Sequence, residues 1–135
     1  ISIDALEVAK VNAKLNNVSI EFIHADIFEY QSDKKYDVIV SNPPYVTESE
    51  KMLMKQNVLG FEPESALFVE DKKPLKYYSS ILNFSKTNLS KDGLLFFEIN
   101  QMFEKNLNSE INSYFYNVAF HKDLFNKSRF CVINI

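Results

Sequence analysis

Glycine is nearly missing from this chain: only Gly60 and Gly93 occur among 135 residues, where average usage would supply about nine. No G-x-G and no G-x-x-x-x-G-K run exists, so there is no glycine-rich loop to bring backbone N–H groups up to a nucleotide or nucleoside cofactor. Arginine is scarcer still. Arg129 stands alone, the lysines are scattered, the net charge is -3 and the pI is near 5.4. That is not the clustered basic footprint of a surface built to hold nucleic-acid backbone.

Cysteine is limited to Cys131, inside the apolar run Phe130–Ile133, which reads as a buried strand position and not as a nucleophile or ligand. The two histidines, His24 and His121, fall in strand-like stretches without His-Glu-x-x-His or Cys-x-x-Cys spacing, and no metal site is expected. No apolar stretch approaches the roughly 18 residues that span a bilayer. The first residues read as an amphipathic helix with acidic positions, not as a basic segment leading into a signal core. A soluble, cytoplasmic protein is expected.

The hydrophobic fraction of 46% and charged fraction of 24% are those of one ordinary globular domain. Ser2 to Leu15 places Leu6, Ala9 and Ala13 on one helical stripe and Val8, Val11 and Leu15 on the next, predicting a helix packed on a broad apolar face, with Asp4 and Glu7 spaced as a capping box. Asn16-Asn17 ends it. Val18 to His24 alternates as a strand, Gln31 to Lys35 is polar linker, and Tyr36 to Ser41 reads as a short strand buried on both faces. Val46 to Asp71 has no sustained period and contains Gly60 and Glu62-Pro63, predicting a long loop of the functional kind. A helix from Pro74 toward Leu89, a strand Leu94–Ile99, a helix from Phe103 to Tyr114 and two strands, Asn117–Lys122 and Arg129–Ile135, complete the reading, the last two joined by Asp123–Ser128 as a hairpin. The pattern is an α/β layer closing on an antiparallel hairpin.

Asn42-Pro43-Pro44-Tyr45 follows the strand Tyr36–Ser41 directly. Two prolines fix two φ angles, remove two N–H donors and push the residue before each out of the helical region. Asn42 is thereby held extended at a strand end. Its side-chain carbonyl and the Pro43 carbonyl can accept both hydrogens of an NH2 group, while the Tyr45 ring covers a flat face. In an open parallel sheet, ligands gather beyond the carboxyl ends of the strands. Asp26 after the first strand, Asn42 after the second and Glu98-Ile99-Asn100 at the end of the third are expected at that edge, with Asp26 able to accept from the amine of an adenine ring.

Ile1-Ser2 with Ala5-Leu6 and Ala9, Asp26, Tyr36-Asp37 through Val46, Glu62-Pro63 with Ala66-Leu67, Pro74-Leu75 with Tyr78, Glu98-Ile99-Asn100-Gln101, and Lys122-Asp123-Leu124 with Arg129 together resemble the HemK/PrmC family. These are peptide chain release factor glutamine N5-methyltransferases using S-adenosylmethionine. The tetrapeptide is shared with methyltransferases of adenine and guanine amino groups; Glu62-Pro63-x-x-Ala66-Leu67 is the more specific mark. The resemblance implies a class I S-adenosylmethionine-dependent methyltransferase, Rossmann-like, with sheet order 3-2-1-4-5-7-6. It also implies that residues 1–135 hold only the C-terminal part of the catalytic domain, without strands 1 and 2, the glycine loop and a preceding helical domain.

On the same resemblance Asn42, Pro43 and Tyr45 would be the catalytic group. Asn42, Pro43, Pro44, Tyr45, Glu62 and Pro63 would meet the substrate, with Glu62 and Pro63 shaping its entrance. Asp26, Ile27 and Asn42 would border the cofactor, and the partner would be a release factor. Two alternatives stay open, a base amino methyltransferase acting on DNA or RNA and an inactive interaction piece. With its first strands absent, the segment Val18–His24 should lack a sheet neighbour, and the strand at Tyr36–Ser41 should present an unpaired edge open to self-association. Poor cofactor binding by these residues alone is expected.

Overall fold

Ser2 has extended backbone and its Oγ accepts from the Ala5 N–H at 3.2 Å, which caps a helix that its alanine- and lysine-containing sequence favours. In the computed structural model, which describes residues 1–53, 62–114 and 117–134, the chain divides into two units, Ile1–Gln31 and Ser32–Ile135. The first contains helix α1, Ile3–Leu15. Its cap is Ser2 alone; the expected Asp4–Glu7 box does not form, because Asp4 lies inside the first turn and Glu7 pairs with Lys10 at 2.7 Å. Asn17 then takes φ 53°, a left-handed conformation that asparagine tolerates better than most residues. Only one stripe of α1 is covered: Ala13 is buried and Leu6 and Ala9 half-buried, whereas Val8, Val11 and Leu15 are exposed. The broad packed face of the sequence reading is therefore narrower.

Residues 18–24 form no strand. This corrects the expectation of a strand there and agrees with the expectation that the segment lacks a sheet neighbour: alternation supplies the pattern, but a ladder needs a second chain segment to take its N–H and C=O groups. His24 Nε2 lies 2.8 Å from the Ile1 carbonyl.

The second unit runs β1 Tyr36–Ser41, β2 Val46–Thr47, a 3-10 turn Glu48–Leu53, α2 Glu64–Leu67, β3 Phe68–Val69, α3 Lys76–Asn88, β4 Leu89–Glu98, a 3-10 turn Gln101–Phe103, α4 Glu104–Asn112, β5 Asn117–Lys122 and β6 Ser128–Asn134. Its main sheet has the order β1-β4-β6-β5, with β1 and β4 parallel and β6 antiparallel to both β4 and β5. This matches the 4-5-7-6 part of the expected order. The fold class is the mixed α/β one expected of a class I methyltransferase, with its antiparallel final hairpin.

Leu95, Phe97 and Ile99 at the end of β4 lie on the same sheet face as Cys131 and Ile133 of β6, all at 1% exposure or less. Tyr78, Ile81 and Leu82 on α3 and Leu107 and Ile111 on α4 complete this core, each set at the three- and four-residue spacing that keeps side chains on one helix face. Tyr78 meets the Phe97 ring edge-on at 5.1 Å. The thiol of Cys131 is pushed up to about 12 by burial, consistent with the packing role expected of it.

Two strand readings change. β1 is covered on one face only, since Val38 and Val40 are exposed, and β4 begins earlier than Leu94 because Lys91-Asp92-Gly93 is a kink within it. Asp92 there has φ 66°, and a Cβ on Gly93 would lie 2.9 Å from the Ser90 carbonyl oxygen. The predicted long loop is corrected as well. Its described residues form β2, β3, α2 and a 3-10 turn, tied by Ser49 N and Oγ donating to Asp71 Oδ1 at 3.1 and 2.7 Å. Such long-range side-chain bonds leave no period in the sequence. Gly60 lies outside the described residues.

Candidate functional site

Ser41 is opposite Phe97 in the parallel β1–β4 pair, so Asn42 and Glu98 leave the sheet at the same carboxyl edge. The double proline carries the chain away as an ordered turn, with Asn42 exposed, Pro43 buried, and Pro44 and Tyr45 half-buried. No described group hydrogen-bonds the Asn42 side chain, which is open to an incoming ligand.

Tyr45 is clamped at both ends, by the last residue of β4 and by Asn100 just beyond it. Its hydroxyl donates to Glu98 Oε1 at 2.7 Å, and its carbonyl accepts from Asn100 Nδ2 at 3.2 Å. Half-burial, the Glu98 hydrogen bond and the Glu98 charge push the phenol up to about 12, against an opposing influence of Arg129. At neutral pH Tyr45 is therefore a neutral donor, not a base. Asn100 is itself oriented by its surroundings: Nδ2 reaches Glu50 Oε2 at 3.1 Å and Oδ1 caps the Met102 N–H at 3.0 Å. Glu50 Oε2 also accepts from Thr47 N and Oγ1 at 3.0 and 2.9 Å.

A cleft of about 270 Å³ opens beside this network, lined by Tyr45, Val46, Glu50, Asn100, Met102 and Arg129 among others. The Arg129 guanidinium is steadied by Nε donating to Asp123 Oδ2 at 3.1 Å. Bonds from the Lys127 N–H, Arg129 and the Phe125 N–H hold the Asp123 carboxyl below its usual range. With Gln101 also in its lining, the cleft has one carboxylate, two carboxamides and one cation, a set that suits a polar, uncharged chain segment.

Of the positions singled out in sequence, Asn42, Pro43, Pro44 and Tyr45 share this edge with Glu98 and Asn100. Glu62 and Pro63 are exposed. Pro63 opens α2, which leads into β3, and β3 pairs with β2 directly after Tyr45 through Val46 and Phe68. Asp26 and Ile27 belong to the first unit, where Asp26 makes a turn: its Oδ1 accepts from Phe28 N at 3.0 Å and its carbonyl from Tyr30 N at 2.8 Å. Glu50 is the site residue that sequence reasoning misses. The available signal is Thr47-x-x-Glu50, the spacing in which a glutamate reaches back to the N–H of the residue opening a helical turn. Among the described residues no group of three or more His, Cys, Asp or Glu could hold a metal ion, and no helix is long and apolar enough to cross a membrane.

The family described as methyltransferase small domain matches residues 1–61. Over 136 aligned residues, 99% of this chain and 48% of the relative, the sequence is 41% identical to a release factor glutamine methyltransferase of Flavobacterium psychrophilum. Identity is also 41% to the protein of that name from Bacteroides thetaiotaomicron, over 99% of this chain and 49% of the relative. A bifunctional methyltransferase of Rickettsia typhi is 43% identical over 73% of this chain and 19% of its own length. The chain spans about half the length of the release factor methyltransferases it matches. Along nearly all of its residues the chain is similar to proteins named release factor glutamine methyltransferase.

Proposed function

We propose that this chain carries the substrate side of an enzyme that methylates the side-chain nitrogen of a glutamine in a peptide chain release factor, with S-adenosylmethionine as donor. The observation that carries the reading is the Asn42-Pro43-Pro44-Tyr45 turn, clamped at a sheet edge, in a chain so similar to proteins of that name. A carboxamide nitrogen is a poor nucleophile because its lone pair is delocalised into the carbonyl. Asn42 and the Pro43 carbonyl accept its two hydrogens, fix its orientation and stabilise positive charge developing on it. Tyr45 flanks the amide plane, and Glu62 and Pro63 border the entrance. The nitrogen's excess proton leaves after the transfer, so no base is required beforehand.

The donor supplies an electrophilic methyl group on sulfur. The residues present fit its adenine end: Asp26 has Oδ1 engaged with Phe28 N and keeps Oδ2 to accept from an exocyclic amine, next to the apolar Ile27. With no glycine-rich run in the sequence, these residues alone bind the donor weakly, and micromolar affinity of the isolated chain in a calorimetric titration would contradict this. Acting on a release factor, the protein works in the cytoplasm.

The test uses the complete enzyme and labelled donor, offered a release factor, its Gln→Ala variant, and DNA and RNA in parallel. Label should enter the release factor and vanish with the glutamine. Label in nucleic acid, or label that survives the Gln→Ala change, overturns the assignment.

A further inference from the structure

The segment Glu98-Ile99-Asn100 is held to the rest of the second unit at three successive residues. Tyr78, buried on α3, donates its hydroxyl to the Glu98 carbonyl at 2.9 Å, the Ile99 N–H donates to the Arg129 carbonyl of β6 at 2.8 Å, and Asn100 Oδ1 caps the following 3-10 turn. This stretch, which runs from the last residue of β4 to the cap of the 3-10 turn, is thus tied to both α3 and β6. Tyr45 lies on a turn, where two fixed φ angles stiffen the backbone but leave the ring free to rotate. Its position is supplied from outside, by Glu98 at the phenol and Asn100 at the carbonyl.

We propose that Glu98 and Asn100 are positioning residues for the transfer, two points of a clamp through which β4 sets the Tyr45 ring and the turn that presents Asn42 and Pro43. The inference rests on the functional reading above and goes beyond it by assigning roles to residues that act through Tyr45. The two points are unequal. The phenol–carboxylate bond is short and charge-assisted, whereas the Asn100 bond, at 3.2 Å, is at the long end of the ordinary range. Glu98 therefore governs the ring, and Asn100, shared with Glu50, governs how the 3-10 turn Glu48–Leu53 is tied to the same point. A carboxylate is suited to this task, because it accepts from a neutral phenol without offering a donor that would compete for the amide-binding carbonyls.

The decisive experiment is a double-mutant cycle on the complete enzyme with Tyr45→Phe and Glu98→Leu, reading kcat and KM separately on the acceptor that wild-type enzyme labels. Glu98→Leu should lower kcat by about 10- to 100-fold, the scale of a small misplacement, with the KM for donor unchanged. Glu98→Gln, which keeps an acceptor oxygen, should recover most of the rate. In a Tyr45→Phe background, Glu98→Leu should cost nothing more. Multiplicative losses, equal rates for Glu98→Gln and Glu98→Leu, or a wild-type rate in Glu98→Leu would each overturn the clamp. If Glu98→Leu melts below the assay temperature, the cycle is run with Glu98→Gln, whose smaller loss must likewise vanish in the Tyr45→Phe background. A wild type that labels nucleic acid refutes the release-factor reading, and the cycle then tests the clamp on that acceptor; multiplicative losses on a release factor refute the clamp and leave the reading standing.

Discussion

The Tyr78 hydroxyl donates to the main-chain carbonyl of Glu98 at 2.9 Å while its ring meets Phe97 edge-on, so one core side chain both packs β4 and fixes the point where β4 ends. Burial, with the neighbouring Tyr45, Cys131 and Glu98 adding to it, raises its phenol far above the ordinary tyrosine value. Tyr78→Phe keeps the ring contact and removes this part-buried hydrogen bond, which should cost about 0.5–1.5 kcal/mol. Urea unfolding checks the magnitude. A cost near zero would mean that water satisfies the carbonyl.

Asn42 is exposed and makes no hydrogen bond to a described residue, so its removal disturbs no packing. In the complete enzyme Asn42→Ala should lower methyl transfer by about two orders of magnitude or more, as for other groups that act on charge developing in the transition state. The dissociation constant for the donor should stay within about threefold. Equal loss of both would assign Asn42 a structural role instead.

Ser85 is fully buried on α3, and its hydroxyl has no hydrogen-bond partner among the described residues. Burying an unpaired hydroxyl is unfavourable, and alanine is the better helix former. Ser85→Ala should therefore be neutral or stabilising by up to about 1 kcal/mol. A drop in melting temperature would reveal a partner for the hydroxyl.

Asp123 has its carboxyl held below the usual range by the Lys127 N–H, Arg129 and the Phe125 N–H. A group whose folded pKa is depressed stabilises the fold above the unfolded value, about 3.9, and that contribution fades as pH falls through the folded value. Wild type should melt above Asp123→Asn near neutrality, and the gap should close under acid. A gap independent of pH would assign the effect to hydrogen-bond geometry, not charge.

Among the described residues β1 pairs on one side only, with β4, and its Val40 is 73% exposed. Such an edge is a template for another strand. We expect the 135-residue chain to self-associate in sedimentation experiments and Val40→Lys to suppress this. A monomer at every concentration would show that the edge is protected.

The parts of the fold legible beforehand were those with local causes. Tyr36–Ser41 is a strand because β-branched and aromatic residues run up to two prolines, α3 follows from apolar spacing at 78, 81 and 82, and the hairpin from Asp123 through Ser128 follows from its turn residues. Val18–His24 failed where alternation met no partner strand. The segment after Tyr45 failed because its order comes from Ser49 bonding Asp71 and Thr47 bonding Glu50.

By itself the sequence determined that an extended Asn-Pro-Pro-Tyr turn follows a strand, because proline stereochemistry is local and needs no tertiary partner. Only the tertiary structure decided what holds that turn. Tyr45 and Glu98 are separated by 53 positions, and their meeting depends on β1 and β4 lying parallel in one register, with Ser41 opposite Phe97. A shift of one residue would turn Glu98 to the other sheet face, since side chains alternate along a strand.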